Sequence, residues 1–355
     1  MVAASGPMSP DHNDRNARKD LISTQRSQGL KASAWPTSVA AMNTAAVALA
    51  PLPGPPGLPE SSWPPPGGAR PGTVDILPAI DPRRPAPAIE LTKVTKRFVS
   101  RAGSYTALLD LDLRIAEGEF CTIVGPTGSG KSTTLSLIAG LEPVSAGTVR
   151  VLGSVVDGIP PNVGFMFQAD AIFPWKTVLD NVMVGLRFRG VPAQESRERS
   201  RDWVNRVGLT GFESYYPHQL SGGMRKRVAL AQTLITEPRI LLMDEPFSAL
   251  DAQTRVLMED ELLELWALSG ATVVFVTHDL EEAISLADRV VVLTAGPATV
   301  KGSYVIDLPR PRDVAEIRFE PRFAEILREI WKDVRSEVLI GYERSKGQPV
   351  KGLGH

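Results

Sequence analysis

Cysteine is nearly absent from this chain: Cys121 is the only one among 355 residues. That excludes an internal disulfide framework and fits a reducing compartment. Cys121 lies within an apolar run, so a buried core thiol is expected rather than a reactive one. No run of about 18 or more apolar residues occurs either, and no segment is read as a membrane span. Charge of one sign is also missing. With 39 basic and 40 acidic residues the net charge is −1, which gives no global electrostatic footprint for nucleic acid.

What is present is unevenly distributed. Residues 1–87 hold more than half of the 30 prolines, most densely at Pro51 to Pro66. Such a segment cannot bury enough apolar area to offset its ordering entropy, so it reads as a disordered extension. From residue 88 the pattern turns globular. Ile89 to Leu91 and Leu111 to Ile115 alternate like half-buried strands, and Phe120 to Val124 reads as a buried one. Further strands are expected at Thr148–Val151, Val163–Phe167, Ile240–Met243, Thr272–Val276 and Val290–Leu293. Helices are expected at Val178–Phe188, Gln194–Val207, Gly222–Thr236, Thr254–Ser269 and Leu280–Ala287. Strands with apolar cores alternating with helices indicate an α/β fold with a mostly parallel central sheet. From Asp313 onward, Phe323, Ile326, Leu327, Ile330, Trp331, Val334 and Val338 mark one face of an amphipathic helix. Its face either packs on the domain's own surface or docks onto a partner. Gly341 to His355 reads as a frayed end.

The string G-P-T-G-S-G-K-S stands between the strand Phe120–Val124 and a stretch that continues as helix from Thr133. Strand, glycine-rich loop and helix in that order make a phosphate-binding P-loop. The backbone of Gly125, Pro126, Thr127, Gly128, Ser129 and Gly130 lines the loop, every one of them but Pro126 offering an N–H, and Thr133 extends the helix start. Lys131 is placed to reach the β- and γ-phosphates, and the Ser132 hydroxyl to ligate Mg²⁺. A second apolar strand ends in Asp244-Glu245. At the carboxyl edge of a parallel sheet both acids lie beside the triphosphate. Asp244 then holds Mg²⁺, directly or through water, and Glu245 polarises the attacking water.

Leu220-Ser221-Gly222-Gly223-Met224 opens another helix as a second anion-binding N-terminus. One nucleotide does not obviously need two such caps in one chain. With that string the chain resembles the ATP-binding subunit of ABC transporters, across roughly residues 88–310. The resemblance implies a P-loop NTPase core with an antiparallel β subdomain and a helical signature subdomain at about 169–236, within an ATP-binding domain spanning 88–312; a C-terminal helix and tail fill 313–355. It also implies residue roles. Gln168 contacts Mg²⁺ and the lytic water, His278 hydrogen-bonds the γ-phosphate, and Asp251 belongs to a loop communicating across a dimer. Phe98 takes the place of the aromatic stacking on adenine, with Tyr105 as the alternative. Ser221, Gly222 and Gly223 of one copy meet the nucleotide held by Lys131 of a second copy.

Met224, Lys226 and Gln232 depart from the commonest family pattern and are expected to change local packing or salt bridges while touching none of the phosphate contacts. The resemblance implies ATP and Mg²⁺ as cofactors, a homodimer at the cytoplasmic face of the inner membrane, and a separate permease with an indirectly associated solute-binding protein. Phe173-Pro174-Trp175, Val178 to Val182 and Leu308 to Arg312 resemble the nitrate, sulfonate and taurine importer group. Exposed Phe173 and Trp175 would receive a permease helix. A lipid-trafficking ATPase subunit remains the alternative. A soluble ABC ATPase fits less well, since the sequence has neither a second cassette nor sustained heptads.

Overall fold

The structure, a computed structural model, describes residues 87–100 and 103–346. The proline-rich extension therefore lies outside the described residues except for Pro87. Ten strands and eight α-helices occur among them. Two sheets form. One has four strands in the order β2-β1-β4-β5 and is antiparallel: β1 Ile89–Ser100, β2 Gly103–Ile115, β4 Ala146–Val151 and β5 Ser154–Val155. The other has six, ordered β10-β9-β3-β8-β7-β6. Its members are β3 Phe120–Val124, β6 Val163–Met166, β7 Ile240–Asp244, β8 Thr272–Val276, β9 Arg289–Leu293 and β10 Val300–Val305. All neighbours in it run parallel except β10 against β9.

The apolar runs that marked the strands explain why this sheet is central. Strands β3 and β8 are buried at every position, as a parallel sheet covered on both faces requires. Successive residues feed opposite layers. Cys121, Ile123, Leu242, Val274 and Val291 pack with the antiparallel sheet and with α1, Lys131–Ile138. Phe120, Met243, Phe275 and Val292 face the remaining helices. Cys121 is fully buried, and burial pushes its thiol up to about 12, so it is the inert core residue that the sequence implied.

Helices α2 Val178–Phe188, α3 Ala193–Arg206 and α4 Gly222–Leu234 pack on one another. Helix α5, Ala252–Ser269, and α6, Leu280–Leu286, lie between strands of the parallel sheet in the chain. Helix α7 is a single turn, Val314–Ile317, and α8 runs from Pro321 to Ser345, further than the frayed end expected from Gly341. Its face is narrower than the spacing implied. Phe323, Ile326, Ile330 and Val334 are buried, but Trp331 is 51% exposed and Val338 faces solvent too. Glu337 fixes the helix to its own domain by accepting from the Ala295 amide at 2.9 Å.

The segment Leu308 to Arg312 also finds a structural role. Arg312 is buried and donates to the carbonyls of Ile284, Ser285 and Ala287 at the end of α6, and to those of Ile306 and Leu308. The first three are the orphan acceptors of a helix terminus, where a cation is favoured.

Candidate functional site

Parallel register brings the chemistry to one edge. Ile123 and Asp244 both pair with Val276, and Met166 pairs with Met243. The P-loop, Gln168, Glu245 and His278 therefore all leave the same carboxyl edge of the sheet, where open α/β sheets hold ligands. Gly130 caps α1 at φ 79°, in the left-handed region, and a Cβ there would meet Leu108 Cδ2 at 2.6 Å. Only glycine fits both demands. Ser129 Oγ is buried without a hydrogen-bond partner, an orphan polar atom inside the loop that a bound ligand can satisfy. The Lys131 amine folds back to donate to the carbonyls of Gly125, at 2.9 Å, and Pro126, at 3.1 Å. Burial lowers its pKa, while Glu245 and Asp244 oppose that shift. A phosphate beside the amine would favour the charged form.

Ser132 Oγ donates to Asp244 Oδ1 at 3.0 Å. Burial raises the Asp244 carboxyl above its ordinary range, the Ser132 bond opposes this, and Glu245 adds to it. A hydroxyl and a carboxylate oxygen so close form the hard-oxygen donor set that suits Mg²⁺, which keeps several waters and few protein ligands. One oxygen of Glu245 gathers the remaining groups: Gln168 Nε2 lies at 3.5 Å and His278 Nδ1 at 3.1 Å. Glu245 itself is at φ 42°, a strained position for a residue with a side chain. Its amide bond to Val276 O at 2.9 Å and the Ser248 hydroxyl on its carbonyl hold it there.

The second anion cap lies on other elements. Ser221 caps α4, its hydroxyl accepting from the Met224 amide at 3.3 Å, and Asp251 caps α5 by accepting from Thr254. Those Thr254 bonds hold the Asp251 carboxyl below its ordinary value. A Cβ on Gly223 would meet Thr254 Cγ2 at 2.8 Å, and one on Gly222 would meet Leu250. The Ser221 and Asp251 caps are thus neighbours in one molecule. Among the described residues, neither cap hydrogen-bonds to the P-loop. Lys226, expected to alter local packing or salt bridges without touching the phosphate contacts, donates its amine to the backbone carbonyl of Gln168 at 2.8 Å.

Phe98 and Tyr105 face each other across the β1–β2 ladder, so the two aromatic candidates are side by side. Tyr105 is the one that touches the P-loop, its hydroxyl donating to Gly128 O at 3.2 Å. Lys96 Nζ sits 4.8 Å from the Phe98 ring centroid. After Gln168, Trp175 is 71% exposed, whereas Phe173 is half-buried against it with ring centroids 5.5 Å apart. Buried Asn181 shapes this loop. Its side chain accepts from the Phe173 amide and donates to the carbonyls of Phe173, Lys176 and Thr177.

Behind His278 lies a pair of buried acids that sequence reading missed, because acidic residues on a helix ordinarily mark its solvated face. Burial raises Glu259 on α5 to about 8 and Glu282 on α6 to about 7. Glu282 and Asp279 add to the rise at Glu259, and Asp279 and Glu245 to that at Glu282, while Arg318 and Arg255 oppose the first shift and the Thr277 hydroxyl and Arg255 the second. Folded-state pKa values above the unfolded ones mean that the folded protein retains protons the unfolded chain releases. Stability therefore falls as pH rises from about 5 to about 8 and levels off beyond. Wild-type Tm is expected to drop over that interval, and Glu282→Gln, which keeps the neutral form, to flatten the drop. An unchanged slope in a melting series would contradict the burial of a protonated Glu282.

Comparison with known proteins points the same way. The ABC transporter family pattern matches residues 108–248. A nitrate import ATP-binding protein of Synechocystis sp. is 39% identical over 267 residues, covering 74% of this chain and 98% of the relative. A taurine import ATP-binding protein of Burkholderia pseudomallei is 41% identical over 238 residues, covering 66% and 92%. Among solved structures, a dimeric ATP-binding cassette in a post-hydrolysis state, bound to ADP and Pi, is 33% identical with a TM-score of 0.57. The match covers 62% of this chain and 100% of that one.

Proposed function

The chain belongs to the ABC transporter ATP-binding proteins and is an ATPase, and from that premise we propose that it powers an importer. It would bind ATP in a head-to-tail homodimer and drive solute uptake through a separate permease at the cytoplasmic face of the membrane. The observation that carries this reading is the convergence of Gln168 and His278 on one oxygen of Glu245, beside the Ser132–Asp244 pair.

In this reading the P-loop amides and Lys131 seat the triphosphate, and Tyr105 with Phe98 forms the aromatic wall for the adenine. Ser132, Asp244 and Gln168 would hold Mg²⁺, which would supply neutralisation of the triphosphate's charge. Glu245 accepts hydrogen bonding from the attacking water, oriented by Gln168 on one side and His278 on the other. His278 further donates to the γ-phosphate. Ser221, Gly222 and Gly223 close over the nucleotide of the second copy, and Asp251 beside them lines the same junction. Two observations support pairing: among the described residues the Ser221 cap makes no hydrogen bond to the P-loop, and the similar solved cassette is dimeric with ADP and Pi.

No helix among the described residues is long and apolar enough to cross a membrane, which fits a permease on another chain. Exposed Trp175, held out by the Asn181-bonded loop, offers a docking point for it. The nitrate and taurine relatives favour small solutes that carry an oxyanion group. Deletion of the gene is expected to abolish uptake of labelled nitrate, taurine or an alkanesulfonate. Undiminished uptake of all three would overturn the solute class, and co-purification with ribosomes or DNA instead of a membrane protein would overturn transport.

A further inference from the structure

Lys226 occupies the fifth residue of α4 and is only 3% exposed. A buried ammonium needs acceptors to replace water. It finds the Gln168 carbonyl at 2.8 Å and Asp170 Oδ1 at 2.9 Å. Arg225 Nε takes the other Asp170 oxygen at 2.9 Å, and its Nη1 donates to the Leu220 carbonyl, next to Ser221. Burial pushes the Asp170 carboxyl up, but the bonds from Lys226 and Arg225 more than offset this and hold it below its ordinary value. The cluster is therefore a charged clamp with its acid ionised at neutral pH.

Its location gives it consequence. Strand β6 is the edge of the sheet and its ladder with β7 ends at Met166. Residues 167–177 have no regular secondary structure, so Gln168 has no sheet partner to fix its peptide plane. Lys226 supplies that fixing bond from a helix whose N-cap is Ser221.

We propose that Lys226 is a positioning residue for ATP hydrolysis: it anchors the Gln168 backbone, sets the angle at which the Gln168 amide meets Glu245, and ties that angle to the seating of the Ser221 loop. This rests on the role given to Gln168 above. A misplaced polar group near a reacting centre lowers turnover without necessarily weakening substrate binding.

The test is a double-mutant cycle on ATPase kinetics of the full chain, with thermal melting measured in parallel. Lys226→Met is expected to lower kcat about tenfold while leaving the KM for ATP within about twofold. Lys226→Gln, which retains a donor for the Gln168 carbonyl, should recover much of the loss. In a Gln168→Ala background, Lys226→Met should cost less than about twofold more, because the group it positions is gone. An equal loss in both backgrounds would mean that Lys226 acts elsewhere and would overturn the inference. So would an impaired Gln168→Ala beside an unimpaired Lys226→Met, which leaves the role of Gln168 standing. A fully active Gln168→Ala would overturn that role, and the clamp's function with it. Should the methionine variant fail to fold, Lys226→Ala, which removes the donor and leaves room for water beside the Gln168 carbonyl, carried through both backgrounds makes the same comparison.

Discussion

Glu245→Gln is expected to reduce ATP turnover by about 100-fold or more, the scale on which a positioned general base acts, while ATP binding persists. The substitution preserves shape and one acceptor oxygen for the groups that meet Glu245, Gln168 at 3.5 Å and His278 at 3.1 Å. It removes the negative charge. That charge raises the Asp244 carboxyl and counters the lowering of Lys131 by burial. Without it, Asp244 ionises more readily, and a bound triphosphate no longer faces Glu245 across a cleft of reduced dielectric. ATP affinity should therefore hold or improve even as chemistry stops. If hydrolysis opens the proposed dimer, the variant is expected to accumulate as an ATP-dependent dimer in size-exclusion chromatography. Near-normal phosphate release by Glu245→Gln would contradict the role given to this carboxylate.

The nucleotide edge was legible in the sequence because its signals are contiguous. A parallel strand buried on both faces must be apolar throughout, and the residues that follow it emerge at the ligand edge whatever the rest of the fold does. Phe120–Val124 and Ile240–Met243 therefore announced both themselves and the positions of Lys131, Asp244 and Glu245. The antiparallel sheet was less readable. Register shifts between Leu91 and Val94, Val94 and Lys96, and Lys96 and Arg97 interrupt the alternation along β1. The strand consequently looked as though it ended at Leu91, although it runs on to Ser100. Strand β10, V-K-G-S-Y-V, escaped notice because an edge strand with one neighbour and a glycine carries little apolar pattern. On α8, Trp331 follows Ile330 by about 100° of rotation, enough to carry it from the buried stripe toward solvent. Contacts distant in sequence were not legible at all. Nothing local signals that Tyr105 reaches Gly128 or that Lys226 reaches Gln168, since both depend on how separate elements are brought together.

Ser221→Arg is expected to abolish hydrolysis, by about 100-fold or more on the scale of a lost transition-state contact, while leaving ATP binding by the isolated subunit intact. Both expectations follow from where the cap stands. The Ser221 hydroxyl serves its own helix through the Met224 amide, and losing such a cap costs only about 1 kcal/mol of stability. The fold therefore tolerates the change. The loop packs against Leu250 and Thr254, and among the described residues its Ser221 cap makes no hydrogen bond to the P-loop. A long cation there would obstruct approach of a second copy's nucleotide without entering the site formed by Lys131. Mixing supplies the sharper test. A dimer of one Ser221→Arg copy and one Lys131→Ala copy concentrates both defects in one of its two sites and leaves the other with an intact lysine and an intact serine. Activity above that of either variant alone is therefore expected from the mixture. Loss of ATP binding by Ser221→Arg monomers, or undiminished hydrolysis by that variant, would return Ser221 to a purely local role in capping α4.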